Sequence, residues 1–184
     1  MEQFEKYHPI MTPRFTFDWL TVATVKDVFA IRHDPAIAAQ ANRPADADIN
    51  QTVTFISQTM VAVMRNQQLT WGITDRAEKQ FVGIFALDPI DPESGQAGLH
   101  LELQPALVTP PVVNEIIGHM SAFAFAELGL HSLTIWVPTR DAATKDALAA
   151  LGYKPAANTD ASAPADFDLY QISRAVSIVP PAGE

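Results

Sequence analysis

The chain has 184 residues, of which 48% are hydrophobic and 18% charged, and it contains no cysteine. This composition suits one globular domain with its own core, and it excludes disulfide frameworks, thiolate nucleophiles and cysteine metal sites. The formal net charge of −9 argues against a nucleic-acid partner, because a duplex needs a basic protein face to displace its counterions.

The first part of the chain predicts one strand and two helices. Aromatic residues at every second position predict a strand over 14–20. A Thr-x-x-Asp start at Thr24 predicts a helix that ends before Asp34-Pro35, since a residue preceding proline is pushed out of the helical region. Asp48 is predicted to cap a second helix. The stripe of this helix that we expect to face the core consists of Ile49, Val53, Ile56, Met60 and Val63.

Three strands and a long helix are predicted next. The strands span 69–74, 80–87 and 96–103. The polar turn 75–79 predicts a hairpin, and the stretch 88–95, rich in turn formers that include Asp88 and Asp91, predicts a loop. The long helix begins at Thr109-Pro110 and ends at Gly129, where a left-handed cap is wanted.

The last part of the chain predicts a strand over 132–137, a short helix over 141–150 and a final strand over 167–172. We expect residues 1–184 to form one domain, with a core over about 12–173 and frayed tails at both ends. No apolar run approaches the ~20 residues that span a bilayer, and no secretory signal is visible. We therefore expect a cytoplasmic protein without membrane contact. It is a monomer or a homodimer, the latter through exposed apolar positions of the long helix.

Several short phrases occur in a fixed order across residues 12–173. They are Thr12-Pro13-Arg14-Phe15, Ile31-Arg32-His33-Asp34-Pro35, Trp71-Gly72-Ile73, Phe81-Val82-Gly83-Ile84, the stretch 124–131 and Leu148-Ala149-Ala150-Leu151-Gly152-Tyr153. In this order and spacing they resemble the GCN5-related N-acetyltransferase (GNAT) family, in particular the branch that acetylates N-terminal alanine of ribosomal proteins. The resemblance implies an α/β fold, with a mixed, mostly antiparallel sheet of about six or seven strands and helices on both faces.

The resemblance also implies a reaction, the transfer of an acetyl group from acetyl-CoA to an amine such as a peptide N-terminus or a small molecule. The alternative is a non-catalytic protein that keeps the fold for binding or assembly and has lost normal coenzyme binding. By resemblance, the amide of Leu103 faces the thioester carbonyl. A helix N-terminus offers unpaired N–H donors to the pyrophosphate. The amides implied there are those of Leu107, Val108, Thr109, Val112 and Val113.

The implied phosphate loop departs from the family pattern. Thr109 and Pro111 stand where the family has glycines, and Pro110 and Pro111 each remove a backbone donor. No lysine or arginine occurs between Lys79 and Arg140. A second interpretation is a well-made helix start, with threonine as the N-cap and proline at the first position.

Four residues around the short helix complete the implied coenzyme site. Arg140 and Lys145 are the candidate cations for the phosphates. Asp141 and Thr144 stand where the family has an asparagine and a serine that contact the coenzyme arm. Asp141 is better interpreted as the N-cap of the short helix.

The candidate catalytic residues are His100 and Glu102. They alternate with leucines along the strand 96–103, so both side chains point to one face of the sheet. A Glu–His pair there is a candidate base and proton relay, and the alternative is a solvated polar face. The histidines show no metal-ligand spacing, so we expect no metal site.

Overall fold

A computed structural model describes residues 3–157 and 163–174. The strands are β1 (Ile10–Met11), β2 (Phe15–Trp19), β3 (Leu69–Asp75), β4 (Phe81–Asp91), β5 (Gln96–Leu103), β6 (Ser132–Pro138), β7 (Lys154–Pro155) and β8 (Phe167–Ser173). The helices are α1 (Val25–His33), α2 (Pro35–Gln40), α3 (Ile49–Met64), α4 (Pro110–Ala126) and α5 (Ala142–Ala150), with 3-10 turns at Phe4–Lys6 and Pro105–Leu107. The frayed C-terminal tail that we predicted lies outside the described residues.

The strands form one eight-stranded sheet in the order β1-β2-β3-β4-β5-β6-β8-β7. Only β5 and β6 run parallel, and every other neighbouring pair is antiparallel. The helix α4 makes the crossover between the two parallel strands, as parallel neighbours require. This arrangement confirms the mixed, mostly antiparallel α/β sheet that the sequence predicted.

Helices cover both faces of the sheet, and two adjacent residues of β4 show this. Ile84 packs in a cluster with Val28 of α1 and Ile56 of α3. Phe85 belongs to the main core, together with Ile116 of α4. Because successive side chains of a strand point to opposite faces, α1 and α3 lie on one face and α4 on the other.

The predicted helix starts are confirmed at the level of single hydrogen bonds. The Thr24 hydroxyl accepts from Asp27 N–H, and the Asp48 carboxylate accepts from Asn50 and Gln51 N–H. Asp34 ends α1 as predicted, but it also caps α2, a short helix that the sequence reading missed. Proline disfavours the helical conformation in the residue before it and is itself favoured at the first position of a helix. The pair Asp34-Pro35 therefore both ends α1 and begins α2.

The predicted apolar stripe of α3 is partly wrong. Ile49 and Val53 are 37% and 44% exposed. The side that faces the protein carries Thr52, Ile56, Thr59 and Val63. Threonine can occupy this side because its hydroxyl finds a partner there, as Thr52 does by donating to the Asp46 carboxylate.

The N-terminal segment is packed against the domain, contrary to the frayed N-terminus that we expected. Phe4 and Tyr7 are buried in the main core. The indole N–H of Trp71 donates to the Tyr7 carbonyl at 2.8 Å, which fixes the segment across β3. The predicted loop after β4 is also shorter than expected, because β4 continues through a bulge to Asp91.

The expectation that α4 exposes apolar positions for a dimer is also wrong. Among the described residues, the exposed large hydrophobic side chains are Met11, Val22, Ile49, Val53, Val61 and Met64, and none lies on α4. The apolar side chains of α4 instead form the centre of the main core. None of the helices in the described part of the chain has both the length and the apolar composition needed to cross a membrane.

Replacing the cap of α3 tests the local part of this fold. We expect Asp48→Ala to lower the free energy of unfolding by about 1 kcal/mol, because two helix N–H groups lose their acceptor. Urea unfolding measures the change. Ser57→Ala, at an exposed position within the same helix, is the control and is expected to be neutral or slightly stabilising. Equal losses in both variants would contradict the capping role.

Candidate functional site

Strands β5 and β6 part halfway along their length. Their last paired residues are Leu99 and Ile135, although β5 continues to Leu103. Gln104 N–H donates to the Val82 carbonyl of β4, and amides of successive residues point to opposite sides of a strand. The Leu103 N–H therefore points away from β4, into the space that the two strands leave between them. We call this space the gap.

The gap is narrow and mostly apolar. Its cavity measures about 30 Å³, and its lining includes Leu103, Val108, Val113, Ile135 and Val137. Polar groups lie at its mouth, where the Gln40 side chain of α2 donates to Asp141 at the start of α5, 2.9 Å away. A thioester arm would enter this gap only with a shift of Gln40 and its neighbours, since ligand sites commonly measure at least 300 Å³.

The loop between β5 and α4 uses its own backbone donors. Leu107 N–H donates to the Gln104 carbonyl at 2.9 Å, Val108 N–H to the Pro105 carbonyl at 3.2 Å, and Thr109 N–H to the Leu107 carbonyl at 2.8 Å. Pro105 begins a 3-10 turn, which pairs amides with carbonyls three residues earlier, and the Thr109 bond, which spans two residues, closes a γ-turn directly after it. Three of the amides predicted for a pyrophosphate are thus already hydrogen-bonded inside the protein.

The first turn of α4 adds little to the supply of donors. Pro110 and Pro111 have no N–H, and Val113 N–H donates to the Thr109 carbonyl at 3.0 Å. Within residues 3–157 and 163–174, the Val112 amide is the one member of this turn with an N–H and no acceptor. Thr109 holds the N-cap position as the second interpretation predicted, but its hydroxyl makes no capping hydrogen bond.

The candidate cations near α5 differ in availability. Lys145 donates to the Thr139 carbonyl and, at 2.6 Å, to the Asp168 carboxylate, whose hydrogen bond raises the pKa of the lysine. Arg140 is exposed, and among the described residues its side chain makes no hydrogen bond or ion pair, although its carbonyl accepts from Ala142 N–H. Asp141 caps α5 by accepting from the Thr144 N–H at 3.0 Å and hydroxyl at 2.6 Å, which confirms the N-cap interpretation.

On the opposite face of β5, Glu102 is held by two arginines. Arg43 binds it through two nitrogens, Nε at 2.9 Å and Nη2 at 2.5 Å, and Arg32 Nη1 lies 3.7 Å away. The three side chains are only 11–15% exposed. Both oxygens of Glu102 are engaged by Arg43, and among the described residues no hydrogen bond joins Glu102 to His100.

One of these two arginines, Arg32, also binds a second carboxylate. Arg32 binds Asp46 through two nitrogens at 2.9 and 3.0 Å, while its guanidinium lies 3.6 Å from the centre of the Phe55 ring. Burial alone would raise the pKa of Asp46. The hydrogen bonds from Arg32 and Thr52 outweigh that effect and lower it. Two cations and two anions therefore compensate each other, which fixes the segment after α2 to the sheet.

His100 lies beside Glu102 and has a different environment. It is exposed, and its Nε2 lies 2.7 Å from the Asp88 carbonyl. A carbonyl can only accept, so Nε2 carries the proton and the neutral ring presents Nδ1 as an acceptor. Gly98 makes this contact possible, because a Cβ at that position would lie 2.6 Å from the Asp88 carbonyl oxygen.

His100 and Glu102 share a cavity of about 280 Å³ that also contacts Asp88. Within the described ranges the Asp88 carboxylate makes no hydrogen bond or ion pair, so it is not the turn former that we expected. Asp91 is one, since its carboxylate accepts from Glu93 N–H, Ser94 N–H and the Ser94 hydroxyl. The described residues hold no group of three His, Asp or Glu side chains suited to a metal ion.

Sequence reasoning missed the residues that reach the site from far along the chain. Arg43 and Glu102 are 59 positions apart, and Gln40 and Asp141 are 101 apart. Neither pair has a spacing that could predict its contact. One signal was present, because Arg32 stands inside a phrase that carried the family resemblance.

Comparisons with known proteins identify the fold. Residues 14–154 match the profile of the acetyltransferase (GNAT) domain. Ribosomal-protein-S5-alanine acetyltransferase from Vibrio fischeri is 12% identical, with a TM-score of 0.74 over 90% of this chain and 96% of its own. Spermidine N-acetyltransferase from Vibrio cholerae, in complex with CoA and spermine, is 12% identical, with a TM-score of 0.72 over 88% and 95%.

A third solved structure is the microcin C7 self-immunity acetyltransferase in complex with acetyl-CoA and AMP. It is 14% identical, with a TM-score of 0.73 over 89% of this chain and 94% of its own. No curated protein sequence matches the chain significantly. The structural likenesses show the fold, and the domain match extends over most of the sequence. The chain therefore belongs to the GNAT family of acetyltransferases.

Proposed function

We propose that this protein transfers an acetyl group from acetyl-CoA to an amine. The observation that carries the proposal is the gap between β5 and β6, in which the Leu103 amide is left unpaired next to the face that bears His100. Acyl transfer to an amine requires a donor for the carbonyl oxygen and a group that accepts the proton of the amine, and β5 carries one candidate for each role. Membership of the GNAT family supports the same reaction.

On the donor side, the Leu103 N–H would donate to the thioester carbonyl. Negative charge develops on that oxygen as the amine attacks, and a fixed donor stabilises it without further reorganisation. The arm of the coenzyme would follow the gap past Thr144 and Asp141 at the start of α5. For the phosphates, the Val112 amide and the Arg140 side chain are the groups left available. Lys145 would bind a phosphate only if its hydrogen bond to Asp168 were broken.

On the acceptor side, the amine would enter through the cavity that His100 shares with Asp88. An ammonium must lose a proton before its nitrogen can attack, and Nδ1 of His100 would accept it while Nε2 is held by the Asp88 carbonyl. The nitrogen then bonds to the carbonyl carbon, the carbon–sulfur bond breaks, and the thiolate leaves with the electron pair and takes up a proton. A peptide N-terminus or a small amine fits this chemistry.

Glu102 acts in this proposal as a positioning residue. Its carboxylate holds Arg43, and Arg43 also donates to the carbonyls of Arg32 and Pro44. These bonds fix the loop that follows α2 beside the acceptor cavity. His100 therefore carries the proton transfer alone.

Blocking the gap tests the donor site. We expect millimolar acetyl-CoA to raise the melting temperature of the natural chain, since ligand at 100 times its Kd adds about 2.7 kcal/mol of stability. In Val108→Trp the indole fills the gap, and the shift is expected to disappear. Val22→Trp, at a position 67% exposed, is the control and keeps the shift. Absence of any shift in the natural chain would contradict the proposal and leave a non-catalytic binding protein.

Removing the candidate base tests the acceptor side. We expect His100→Gln to lower kcat by about 10²–10⁴-fold, the range that general base catalysis supplies, and to abolish the acid limb of the kcat/KM profile against pH. His119→Gln, at an exposed position on α4, is the matched control and should keep both the kcat and the acid limb of the natural chain. An unchanged pH profile in His100→Gln would show that another group accepts the proton.

The role of Glu102 predicts a loss of stability. We expect Glu102→Gln to lower the free energy of unfolding by about 3 kcal/mol, because two arginines lose a buried counter-charge. The acid limb of the pH profile is expected to stay in place. Lys145→Met breaks an ion pair whose aspartate is 44% exposed, and it should cost much less stability than Glu102→Gln. Urea unfolding of both variants makes the comparison. A pH profile lost with unchanged stability would make Glu102 the base.

A further inference from the structure

We infer that the donor site recognises the acyl-pantetheine arm of its thioester and takes almost no binding energy from the nucleotide diphosphate. Acyl thioesters without a nucleotide then serve as donors about as well as acetyl-CoA. This inference rests on the proposed function, because it concerns the same gap between β5 and β6. It follows from three observations about donors, charge and the walls of the gap.

The first observation is the supply of N–H donors. A helix N-terminus binds phosphate through its unpaired amides together with those of the preceding loop. Here the amides of Leu107, Val108 and Thr109 already donate to carbonyls of the same loop. The two residues that follow are prolines, so Val112 is left as the single donor of the described turn. One amide does not form a cradle for a pyrophosphate.

The second observation is charge. Coenzyme A carries several negative charges on its phosphates, and the chain itself has a net charge of −9. No lysine or arginine occurs in residues 80–139, which include β5, the loop and the whole of α4. Lys145 is paired with Asp168, so the exposed Arg140 faces the phosphates without help. Asp141, at the mouth of the gap, adds a further negative charge.

The third observation is that the other end of the site is suited to a thioester arm. The Leu103 amide points into the gap, and the walls around it are aliphatic. Gln40 and Asp141 place polar atoms at the mouth, where the amide groups of a pantetheine arm would pass. The chemistry is unchanged by the absence of a nucleotide: the carbon–sulfur bond breaks, and the thiol released is pantetheine instead of coenzyme A.

The test is equilibrium binding by calorimetry, which needs no turnover. The ligands are acetyl-CoA, S-acetylpantetheine and adenosine 3′,5′-bisphosphate as the nucleotide alone. We expect the two thioesters to bind within about threefold of each other and the bisphosphate not to compete with either. A site with a working phosphate cradle would favour acetyl-CoA by more than about a hundredfold, through several charge-assisted hydrogen bonds.

A substitution at the mouth separates charge from shape. Asp141→Asn keeps an N-cap for α5 but removes the negative charge. We expect it to tighten acetyl-CoA binding about three- to tenfold and to leave S-acetylpantetheine within twofold. The matched control is Asp146→Asn, which removes the same formal charge from an exposed position of the same helix and should not change the ratio. Melting temperatures of both variants check that the fold is intact.

Each outcome decides between the two ideas. If acetyl-CoA binds more than about threefold tighter than S-acetylpantetheine, or if the bisphosphate competes, the inference is overturned and the proposed acetyl transfer stands. If neither thioester binds the natural chain or Asp141→Asn, the gap is not a donor site and both ideas fail. Equal binding of the two thioesters supports both.

Discussion

The parting of β5 and β6 after Leu99 and Ile135 is the constraint around which the site is arranged. Inside a sheet, a backbone amide without a partner costs about 1–3 kcal/mol, so strands rarely separate while both continue. Here both continue, which leaves the Leu103 amide open to a ligand. The helix α4 begins a few residues further on, so the gap, the loop and the helix start form one continuous surface.

A network of two arginines and two carboxylates positions the elements that surround the cavity beside His100. Burying a charge costs desolvation free energy. Removing one partner of a buried ion pair destabilises a protein more than replacing the whole pair with apolar side chains. The charges of Arg32 and Arg43 are balanced by ion pairs with Asp46 and Glu102. No buried side-chain nitrogen or oxygen of the described residues lacks a partner. This network gives α2 and the loop after it a fixed position over the sheet. The side chain of Gln40 can then reach α5, and an acceptor cavity remains beside His100.

What the sequence could predict depended on the distance between interacting residues. Caps such as Asp48 and Asp141 act within three positions, so they were readable from the chain alone. The short phrases that resemble the GNAT family predicted the sheet, because members of one family share the order of their strands and helices. The pairing of Arg43 with Glu102 joins positions 59 apart, and no periodicity encodes it. The buried side of α3 was misjudged for the same reason, since the carboxylate that satisfies Thr52 lies outside the helix.

The start of α4 shows how one short stretch can serve the fold and weaken a ligand site at once. Proline at the first helical position is already in the helical conformation, so Pro110 stabilises the helix start without needing a partner. Glycine at these positions would cost conformational entropy but would leave amides free to approach an anion. The chain has two prolines and a closed 3-10 turn, which favour the helix and the loop over the phosphate. In the site that we propose, the sheet would fix where the thioester lies, and the loop would decide how much of the donor beyond the thioester is recognised.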